Sequence, residues 1–430
     1  MSVQAIITLV ILILTLVALV TNKISLASLG GLLIGAFIIT KVLTVEEAVS
    51  PFANTTLILM SITFMLSAAF IEVGLANKVG NAIVKIVGGT EGKASERKVL
   101  AVCMLAVIIM CLFLPHFAVI AVLLPVFIST AMVTGYSRTR IIFVATLASS
   151  FGGSITLIGS TVNMLAKSFF EEQGLGTFGF FEFAWAGLPV AVVGFIVMLL
   201  FYKKLTPETI VETVSEQSVQ VVDEKEHPKW KQRLVGILFV LFILSIITSS
   251  VTKISYIGVG IFIICALVFA KCLPEKKALG SIDISTVIFM VGVIDLASAL
   301  EKTGVSAMIA NGVLSLIGQD TSPYVILTIL FVLGAFLTQI TSNVAAAGIL
   351  FPIGVALATA LGADVKAITL AICIACCSSF MTPLATTVNT MIMGPAKLTF
   401  NDWLKAGWPF MIITYLACII VLPLVYPFFG

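Results

Sequence analysis

The sequence predicts an all-α, polytopic membrane protein, and three observations lead to that prediction. Of the 430 residues, 60% are hydrophobic and only 10% are charged, and the mean hydropathy is +1.19. Soluble domains average about 45–50% apolar and about 25% charged residues. Apolar runs of spanning length recur along the whole chain, and its two halves share several motifs. The composition therefore excludes soluble enzymes and nucleic-acid binders, and predicts a multi-pass protein of the cell membrane, the inner membrane if the source is bacterial.

Ten apolar runs have roughly the length that a bilayer requires, which is about 20 residues. They lie at 3–21, 25–41, 56–73, 139–157, 187–203, 234–249, 254–271, 284–300, 365–380 and 408–428. Two longer apolar stretches, 98–136 and 324–361, are interrupted near the middle and are predicted to form re-entrant hairpins. Two short helical patterns, 77–87 and 305–317, suit helices that lie along the membrane interface.

The distribution of basic residues predicts the orientation. The most polar segment, 204–233, is predicted to be a cytoplasmic linker between two domains, 1–203 and 234–430. Counting crossings outward from this linker places 19 of the 24 basic residues inside, as the positive-inside rule requires. The count holds only if hairpin 98–136 enters from the cytoplasm and hairpin 324–361 enters from outside. We therefore predict ten spans, two opposed hairpins and both termini outside.

An internal repeat relates the two halves. SITLIGSTVN, ending at Asn163, resembles FMTPLATTVN, ending at Asn389. FEFAWAGLP (181–189) matches NDWLKAGWP (401–409), and AVIAVLLPV (118–126) matches AAAGILFPI (345–353), in the same order. Five crossings per half is an odd number, so the halves are predicted to have opposite orientations. Inverted repeats with broken helices and a binding site at the repeat interface are typical of secondary transporters.

Four predicted interruptions of the helices form the candidate site. They are the hairpin tips Leu114–Ala118 and Thr341–Ala345 and the loops Ile158–Asn163 and Pro383–Asn389. Such backbone at membrane depth must be covered by protein or line a cavity. The candidate substrate-binding residues are His116, Ser160, Thr161, Asn163, Ser342, Asn343, Thr386, Thr387 and Asn389. None is an acid, a lysine or an arginine, so an anion would be held by helix N-termini and sodium by neutral oxygens. The alternative for any single hydroxyl is helix capping or hydrogen bonding between spans.

Two ionisable residues lie at predicted membrane depth, and two more lie near the predicted outer face. His116 is predicted to contact the anion or to carry a coupling proton, the alternative being a neutral imidazole bonded to a backbone carbonyl. Asp295 is predicted to have a hydrogen-bonded packing role rather than to carry protons. Lys167, with Glu171, is predicted to extend toward the outer face of the membrane.

Three segments resemble the divalent anion–sodium symporter family of the ion-transporter superfamily. They read LTVEEAVSPFANTTLILMSITFMLSAAFIEVGL (43–75), TSNVAAAGILFPI (341–353) and TPLATTVNTMIMGPAKLTFNDWLKAG (382–407). The resemblance covers nearly the whole chain. It implies an elevator-type transporter in membrane lipid, usually a homodimer, that moves dicarboxylates, citrate or sulfate together with sodium.

The resemblance also implies two sodium sites, of which one is complete here. The second site corresponds to Thr338, Thr341, Asn343 and Ala385. The first corresponds to Cys111, Pro115, His116 and Gly159, and only Gly159 fits the family's pattern. Phe117 and Val344 stand where the family has threonines that touch the anion.

The predicted function is therefore secondary active transport of small anions, di- or tricarboxylates in the first place, coupled to sodium. Transport of sulfate or another inorganic anion, and proton-coupled or exchange transport of carboxylates, remain alternatives. An ion channel would need a continuous pore with a selectivity filter, and an intramembrane enzyme would need a catalytic motif such as HExxH. Neither is apparent, so we predict a protein that is not an enzyme and needs no cofactor, with sodium as coupling ion.

Overall fold

The computed structural model describes residues 2–21, 23–88, 95–207, 228–318 and 322–427, and the regular structure in these ranges is helical, with no β strand. Ten α helices precede residue 208: α1 (Val3–Thr21), α2 (Leu26–Ile39), α3 (Val45–Val49), α4 (Thr55–Glu72), α5 (Leu75–Gly88), α6 (Glu96–Cys111), α7 (His116–Thr134), α8 (Arg138–Gly153), α9 (Thr161–Glu172) and α10 (Ala184–Leu205). Ten follow residue 227: α11 (Lys229–Thr252), α12 (Tyr256–Phe269), α13 (Glu275–Gly280), α14 (Ile284–Lys302), α15 (Val305–Ile317), α16 (Pro323–Ile340), α17 (Asn343–Leu361), α18 (Val365–Cys377), α19 (Thr387–Ala396) and α20 (Phe400–Val425).

The apolar runs of the sequence are helices in the structure. Each of the ten predicted spans contains one helix, and the predicted hairpins are the helix pairs α6–α7 and α16–α17. Nine of the described helices are long and apolar enough to cross a membrane. That number differs from ten because it includes the hairpin arms α7, α16 and α17, whereas four helices of predicted spans, α2, α8, α12 and α18, are too short. The prediction of an all-helical, multi-pass membrane protein is confirmed.

The two halves contain the same elements in the same order, α1–α10 and then α11–α20. The turns between them also recur. Lys41 after α2 and Lys271 after α12 both adopt left-handed backbone, with φ of 56° and 54°. Gly74 and Gly304, which precede α5 and α15, have φ of 72° and 73°. These equivalences support an internal repeat, whereas its inversion across the membrane and the orientation of the chain stay predictions.

The helix packing follows the same repeat. α2 packs on α14 as α12 packs on α4, and each hairpin packs on the helix that follows it, α8 or α18. Helices α10 and α20 pack on each other and pass over the ends of α8 and α18. A Cβ atom on Gly187 would lie 2.4 Å from the Ser154 oxygen, and one on Gly407 would lie 2.3 Å from the Phe380 oxygen. Only glycine fits, and the helices therefore cover the broken backbone as a membrane protein requires.

The predicted linker 204–233 is partly helical at its ends. α10 continues to Leu205 and α11 begins at Lys229, so both helices extend into the predicted segment. Residues 208–227 of the predicted linker lie outside the described residues. The core of the molecule lies around α8, α17 and α18, whose side chains are buried along most of their length.

Candidate functional site

The loop after α8 is held by a short chain of hydrogen bonds. Helix α8 ends at Gly153, and the chain is not helical again until α9 begins at Thr161. The Asn163 amide donates to the Thr156 carbonyl at 2.9 Å, and the Thr156 hydroxyl donates to the Leu112 carbonyl at 2.8 Å. The Ser160 hydroxyl accepts from the Val162 N–H at 3.2 Å and so caps α9. The loop is thereby attached to the first hairpin tip.

The loop after α18 is held in the same way. The Asn389 amide donates to the Thr382 carbonyl at 3.0 Å, and the Thr382 hydroxyl donates to the Gln339 carbonyl at 2.7 Å. Thr386 caps α19 by accepting from the Asn389 N–H at 3.1 Å. Both asparagines therefore lie in the first turn of a helix and hold the preceding loop. The Asn163 Oδ1 atom is buried without a hydrogen-bond partner.

The tip of the second hairpin contains a compact group of oxygen atoms. Helix α16 ends at Ile340 and α17 begins at Asn343, so the tip is shorter than predicted. Thr338 Oγ1 lies 2.7 Å from Asn343 Oδ1 and 2.7 Å from the carbonyl oxygen of Cys376. The Ser379 hydroxyl donates to the same Asn343 oxygen at 2.7 Å. Neutral oxygen ligands of this kind suit a hard cation.

The remaining residues of the predicted sodium site have less direct contacts. Thr341 is the buried C-cap of α16, and Ala385 is buried in the loop before α19. Ser342 caps α17 by accepting from the Ala345 N–H at 3.2 Å. The structure thus brings Thr338 and Asn343 into contact, and no described hydrogen bond joins them to Ala385.

Two residues of this tip were missed by sequence reasoning. Ser379 contacts Asn343, as described above, and Gln339 holds the broken backbone after α18. The Gln339 amide donates to the Ser378 carbonyl at 2.9 Å, and its oxygen accepts from the Met381 N–H at 3.0 Å. The available signal was a polar pair, Ser378–Ser379, directly after an apolar run.

The first hairpin tip has an imidazole where the second has an amide. Helix α6 ends at Cys111 and α7 begins at His116. A Cβ atom on Gly153 would lie 3.5 Å from His116 Nδ1. The imidazole therefore packs against the start of the loop between α8 and α9. Pro115 provides no side-chain cap for α7, and Phe117 packs on Phe64 of α4 with ring centroids 5.8 Å apart.

The two broken helices meet across the repeat. Ser160 Oγ lies 3.2 Å from Cys377 Sγ, which joins the N-terminus of α9 to the end of α18. Thr161 and Thr386 are partly buried and Thr387 is exposed. The structure therefore places Ser160 between the halves, whereas Thr387 lies on the surface of the chain.

Two predictions about charged residues are wrong. Lys167 does not extend toward solvent. It is 6% exposed, pairs with Glu171 at 2.5 Å and contacts Thr177, because an ion pair allows a lysine to be buried. Asp295 has no hydrogen-bonded packing role, since it is 1% exposed and neither carboxyl oxygen has a hydrogen-bond partner.

A segment of the first half covers the loop after α8. Residues 173–183 connect α9 to α10, and the Phe180 carbonyl accepts from the Leu157 N–H at 3.0 Å. In this segment Glu182 accepts from Lys366 Nζ at 2.6 Å, from the Tyr426 hydroxyl at 2.8 Å and from the Gly179 N–H at 2.8 Å. Burial opposes ionisation of Glu182, but these three donors hold its pKa below the usual 4.5. The cluster fastens the covering segment to the second half.

Paired hairpins, paired broken helices and a charge-free group of oxygens inside a bundle of apolar helices are features typical of the folds of secondary transporters. The citrate transporter family model, CitMHS, matches residues 16–376, and the chain belongs to this family. The predicted resemblance to anion transporters is thereby confirmed.

Similar proteins include uncharacterized and characterized transporters. The chain is 35% identical over 168 residues to the uncharacterized transporter YfbS of Escherichia coli (strain K12), which covers 39% of this chain and 27% of that protein. It is 32% identical over 193 residues to the uncharacterized transporter sll0640 of Synechocystis, covering 45% and 30%. These matches thus span less than a third of the length of either relative. The sodium-dependent dicarboxylate transporter SdcS of Staphylococcus aureus is 22% identical over 449 residues, covering 95% of this chain and 83% of SdcS.

Two solved structures share the fold. The YdaH transporter of Alcanivorax borkumensis superposes with a TM-score of 0.64 at 15% identity, covering 98% of this chain and 97% of that one. MtrF of Neisseria gonorrhoeae, described as one of a class of antimetabolite efflux pumps, gives 0.67 at 14% identity, covering 100% and 96%. At these identities the likeness concerns the fold alone.

Proposed function

We propose that this protein is a secondary active transporter that moves di- or tricarboxylates together with sodium. The observation that carries the proposal is the group of oxygens around Asn343, in a chain of the citrate transporter family. SdcS, a similar protein over most of both lengths, is a sodium-dependent dicarboxylate transporter. An elevator movement and a homodimer within membrane lipid are part of the same proposal.

The sodium ion is proposed to bind at the second hairpin tip, with Thr338, Thr341, Asn343 and Ala385. Thr338 Oγ1 has one proton but lies 2.7 Å from two oxygen acceptors, so one of these oxygen pairs has no proton between its atoms. A cation at this point would satisfy the unshared lone pairs. No residue of 338–345 or 376–389 is charged, so a sodium ion would meet neither a competing cation nor a permanent anion.

The anion is proposed to bind between the halves, near His116, Ser160, Thr161, Asn163, Ser342, Asn343, Thr386, Thr387 and Asn389. Helix α7 begins beside this region without a side-chain cap, and in its first turn the Ala118 N–H bonds to the Pro115 carbonyl oxygen at 3.0 Å. Helix N-termini stabilise anions through their N–H groups and their dipole. His116 would add a polar ring at the same helix end.

Fewer coupled sodium ions than two are expected. In the first half, Cys111, Pro115 and His116 occupy positions where the family has oxygen ligands, and an imidazole nitrogen is a poor ligand for a hard cation. Sulfate transport, and proton-coupled or exchange transport of carboxylates, are the alternatives that the same site permits.

The test is uptake of labelled succinate, citrate and sulfate by proteoliposomes containing the purified protein, with and without sodium and proton gradients. We expect sodium-stimulated carboxylate uptake with a sodium Hill coefficient near one. Asn343→Ala should abolish the stimulation by sodium, because it removes an oxygen at the centre of the proposed site. Asn311→Ala, in α15, is the matched control and should keep it.

Three outcomes would contradict the proposal. Uptake that does not saturate with substrate would indicate a channel. Undiminished sodium dependence in Asn343→Ala would reject the sodium site. A Hill coefficient clearly above two in the wild type would reject the loss of a coupled sodium ion.

A further inference from the structure

The buried carboxyl of Asp295 has no partner in the structure. It lies in the middle of α14, is 1% exposed, and neither of its oxygens has a hydrogen-bond partner. An unpaired carboxylate in an apolar environment costs several kcal/mol, and it avoids that cost by holding a proton. Ionisable residues inside membrane proteins mark ion and proton pathways.

The elements packed against α14 provide no compensating cation. Helices α1, α2, α15 and α17 and the turn 50–53 contain no titratable side chain. Helix α3 contributes Glu46 and Glu47, and Lys302, at the end of α14, is paired with Glu47 at 2.7 Å. Helix α9 contributes Lys167, which is paired with Glu171. The described groups near α14 therefore leave its central carboxyl unneutralised.

Among the described charged groups, the one that acts on Asp295 is another acid. Glu172, the last residue of α9, interacts electrostatically with Asp295. It is exposed, and its carboxyl lies 3.4 Å from the Asn54 amide and 3.5 Å from the Ser50 hydroxyl. A negative neighbour disfavours a second negative charge.

The fold does not require an acid at this position. The repeat pairs Glu72 of α4 with Lys302 of α14 and Gly74 with Gly304, and in the same register Met65 corresponds to Asp295. The first half therefore has the apolar side chain of Met65 at the position that Asp295 occupies in the second half.

The helix that carries Asp295 packs on the second hairpin through another face. The Val293 side chain packs on Gly348 of α17, where a Cβ atom would lie 2.3 Å from it. Ala297, one turn later on the same face, lines a cleft of about 430 Å³ between α14, α15, α17 and the end of α9. Asp295, two residues from each, lies roughly 200° around the helix axis from this face.

We propose that Asp295 is a proton-carrying residue of the transport cycle: it is protonated in the conformation described here and releases its proton when a change of conformation brings its carboxyl into contact with water. The O–H bond on Asp295 then breaks, and the proton passes to water. Substrate transport, on which this inference rests, would then be coupled to one proton in addition to sodium.

The first experiment is independent of transport. Infrared spectra of the purified protein at neutral pH should contain a carboxylic-acid C=O band that is lost in Asp295→Asn. Glu301→Gln, an exposed acid on the same helix, is the control and should keep the band. Should Asp295→Asn fail to fold, Asp295→Met, with the residue of the other half, replaces it. A band of equal strength in the wild type and the Asp295 variant would overturn the proposal.

The second experiment measures coupling in proteoliposomes that contain a pH-sensitive dye. Substrate-driven proton movement should occur in the wild type and in Glu301→Gln and be lost in Asp295→Asn. Unchanged proton movement in Asp295→Asn would overturn the coupling step. If the wild type moves no anion at all, the proposed function fails and the coupling step with it, whereas the infrared band still reports whether Asp295 holds a proton.

Discussion

The two hairpin tips occupy equivalent places in the repeat but have different chemistry. In the second half, Thr338, Asn343 and Ser379 bring their oxygens within 2.7 Å of one another in two contacts around the amide. In the first half the corresponding residues are Cys111, His116 and Gly153. A Cβ atom on Gly153 would make ordinary van der Waals contact with the imidazole, at 3.5 Å, and would lie closer, at 3.0 Å, to the Gly159 carbonyl oxygen.

The two halves resemble each other much more closely in their backbone hydrogen bonds than in the side chains of the hairpin tips. The Asn163–Thr156 and Asn389–Thr382 hydrogen bonds are the same, and both threonines bond a carbonyl at the end of a hairpin arm. The repeat therefore preserves the hydrogen bonds that hold broken helices in an apolar bundle. It leaves the groups that face a ligand free to diverge.

The largest expected effect concerns the packing of α2 on α14. A Cβ atom on Gly292 would lie 2.7 Å from the Gly30 oxygen, so two backbones touch here. In the other half the equivalent pair is Ile62 and Gly260, where a side chain fills the gap. Gly292→Ile should cost at least about 3 kcal/mol because the neighbour is backbone and cannot rearrange. Thermal unfolding in detergent measures this, and Ile62→Val, expected to cost about 1 kcal/mol, is the control. Equal melting temperatures for Gly292→Ile and Ile62→Val would show that α2 and α14 pack no more closely than α4 and α12.

The comparison of the tips can be sharpened by rebuilding one as the other. The variant Cys111→Thr/His116→Asn/Gly153→Ser places the side chains of the second tip in the first. We expect the sodium Hill coefficient for uptake to rise from near one toward two. His116→Asn alone should alter the pH dependence or the substrate preference of uptake more than it alters expression. Uptake by His116→Asn that matches the wild type between pH 5.5 and 8 would contradict a role of the imidazole.

A smaller effect is expected where the covering segment of the first half meets the second half. Because the pKa of Glu182 is held below 4.5, its contacts stabilise the fold fully above about pH 4.5, and this contribution is lost as the pH falls through the lower, folded-state pKa. Lys366→Gln should cost about 1 kcal/mol at neutral pH, a value reduced by partial exposure of both side chains.

The same variant tests the direction of the pH effect. Without the ammonium group, the folded-state pKa of Glu182 should rise toward the unfolded-state value, so the variant should lose less stability than the wild type as the pH falls below about 4.5. Melting temperatures between pH 3.5 and 8 report this. A parallel decrease at all pH values would instead indicate lost packing on the Phe178 ring.

The smallest effect is expected at two equivalent salt bridges, one in each half, in which the acidic and basic residues have swapped positions. Glu47 pairs with Lys302 at 2.7 Å in one half, and Lys277 pairs with Glu72 at 2.7 Å in the other, with acid and base interchanged. All four side chains are substantially exposed, so each pair contributes about 0–1 kcal/mol. Lys302→Gln and Glu72→Gln should both melt within about 2 °C of the wild type. A larger loss in one of them would reveal a role for that pair in one half only.

The sequence by itself determined the number, order and approximate bounds of the long helices, the two hairpins and the repeat. Bilayer thickness fixes the length of a spanning run, and the absence of water makes every such run a helix, so local composition is sufficient. Asn163 and Asn389 were found for a similar reason, because the motif that contains them occurs twice. The resemblance to anion transporters rested on contiguous segments and was equally visible.

Only the tertiary structure decided which polar atoms have partners. Ser379 was missed because it meets Asn343 across 36 positions of sequence, and the burial of Lys167 depends on its ion pair and on the covering segment that follows α9. Asp295 was assigned a hydrogen-bonded role that the structure contradicts, since the helices packed around it carry no donor within reach of its carboxyl. Whether a buried charge is paired depends on distances between side chains on separate helices, and those distances are set by packing rather than by the pattern within any one segment.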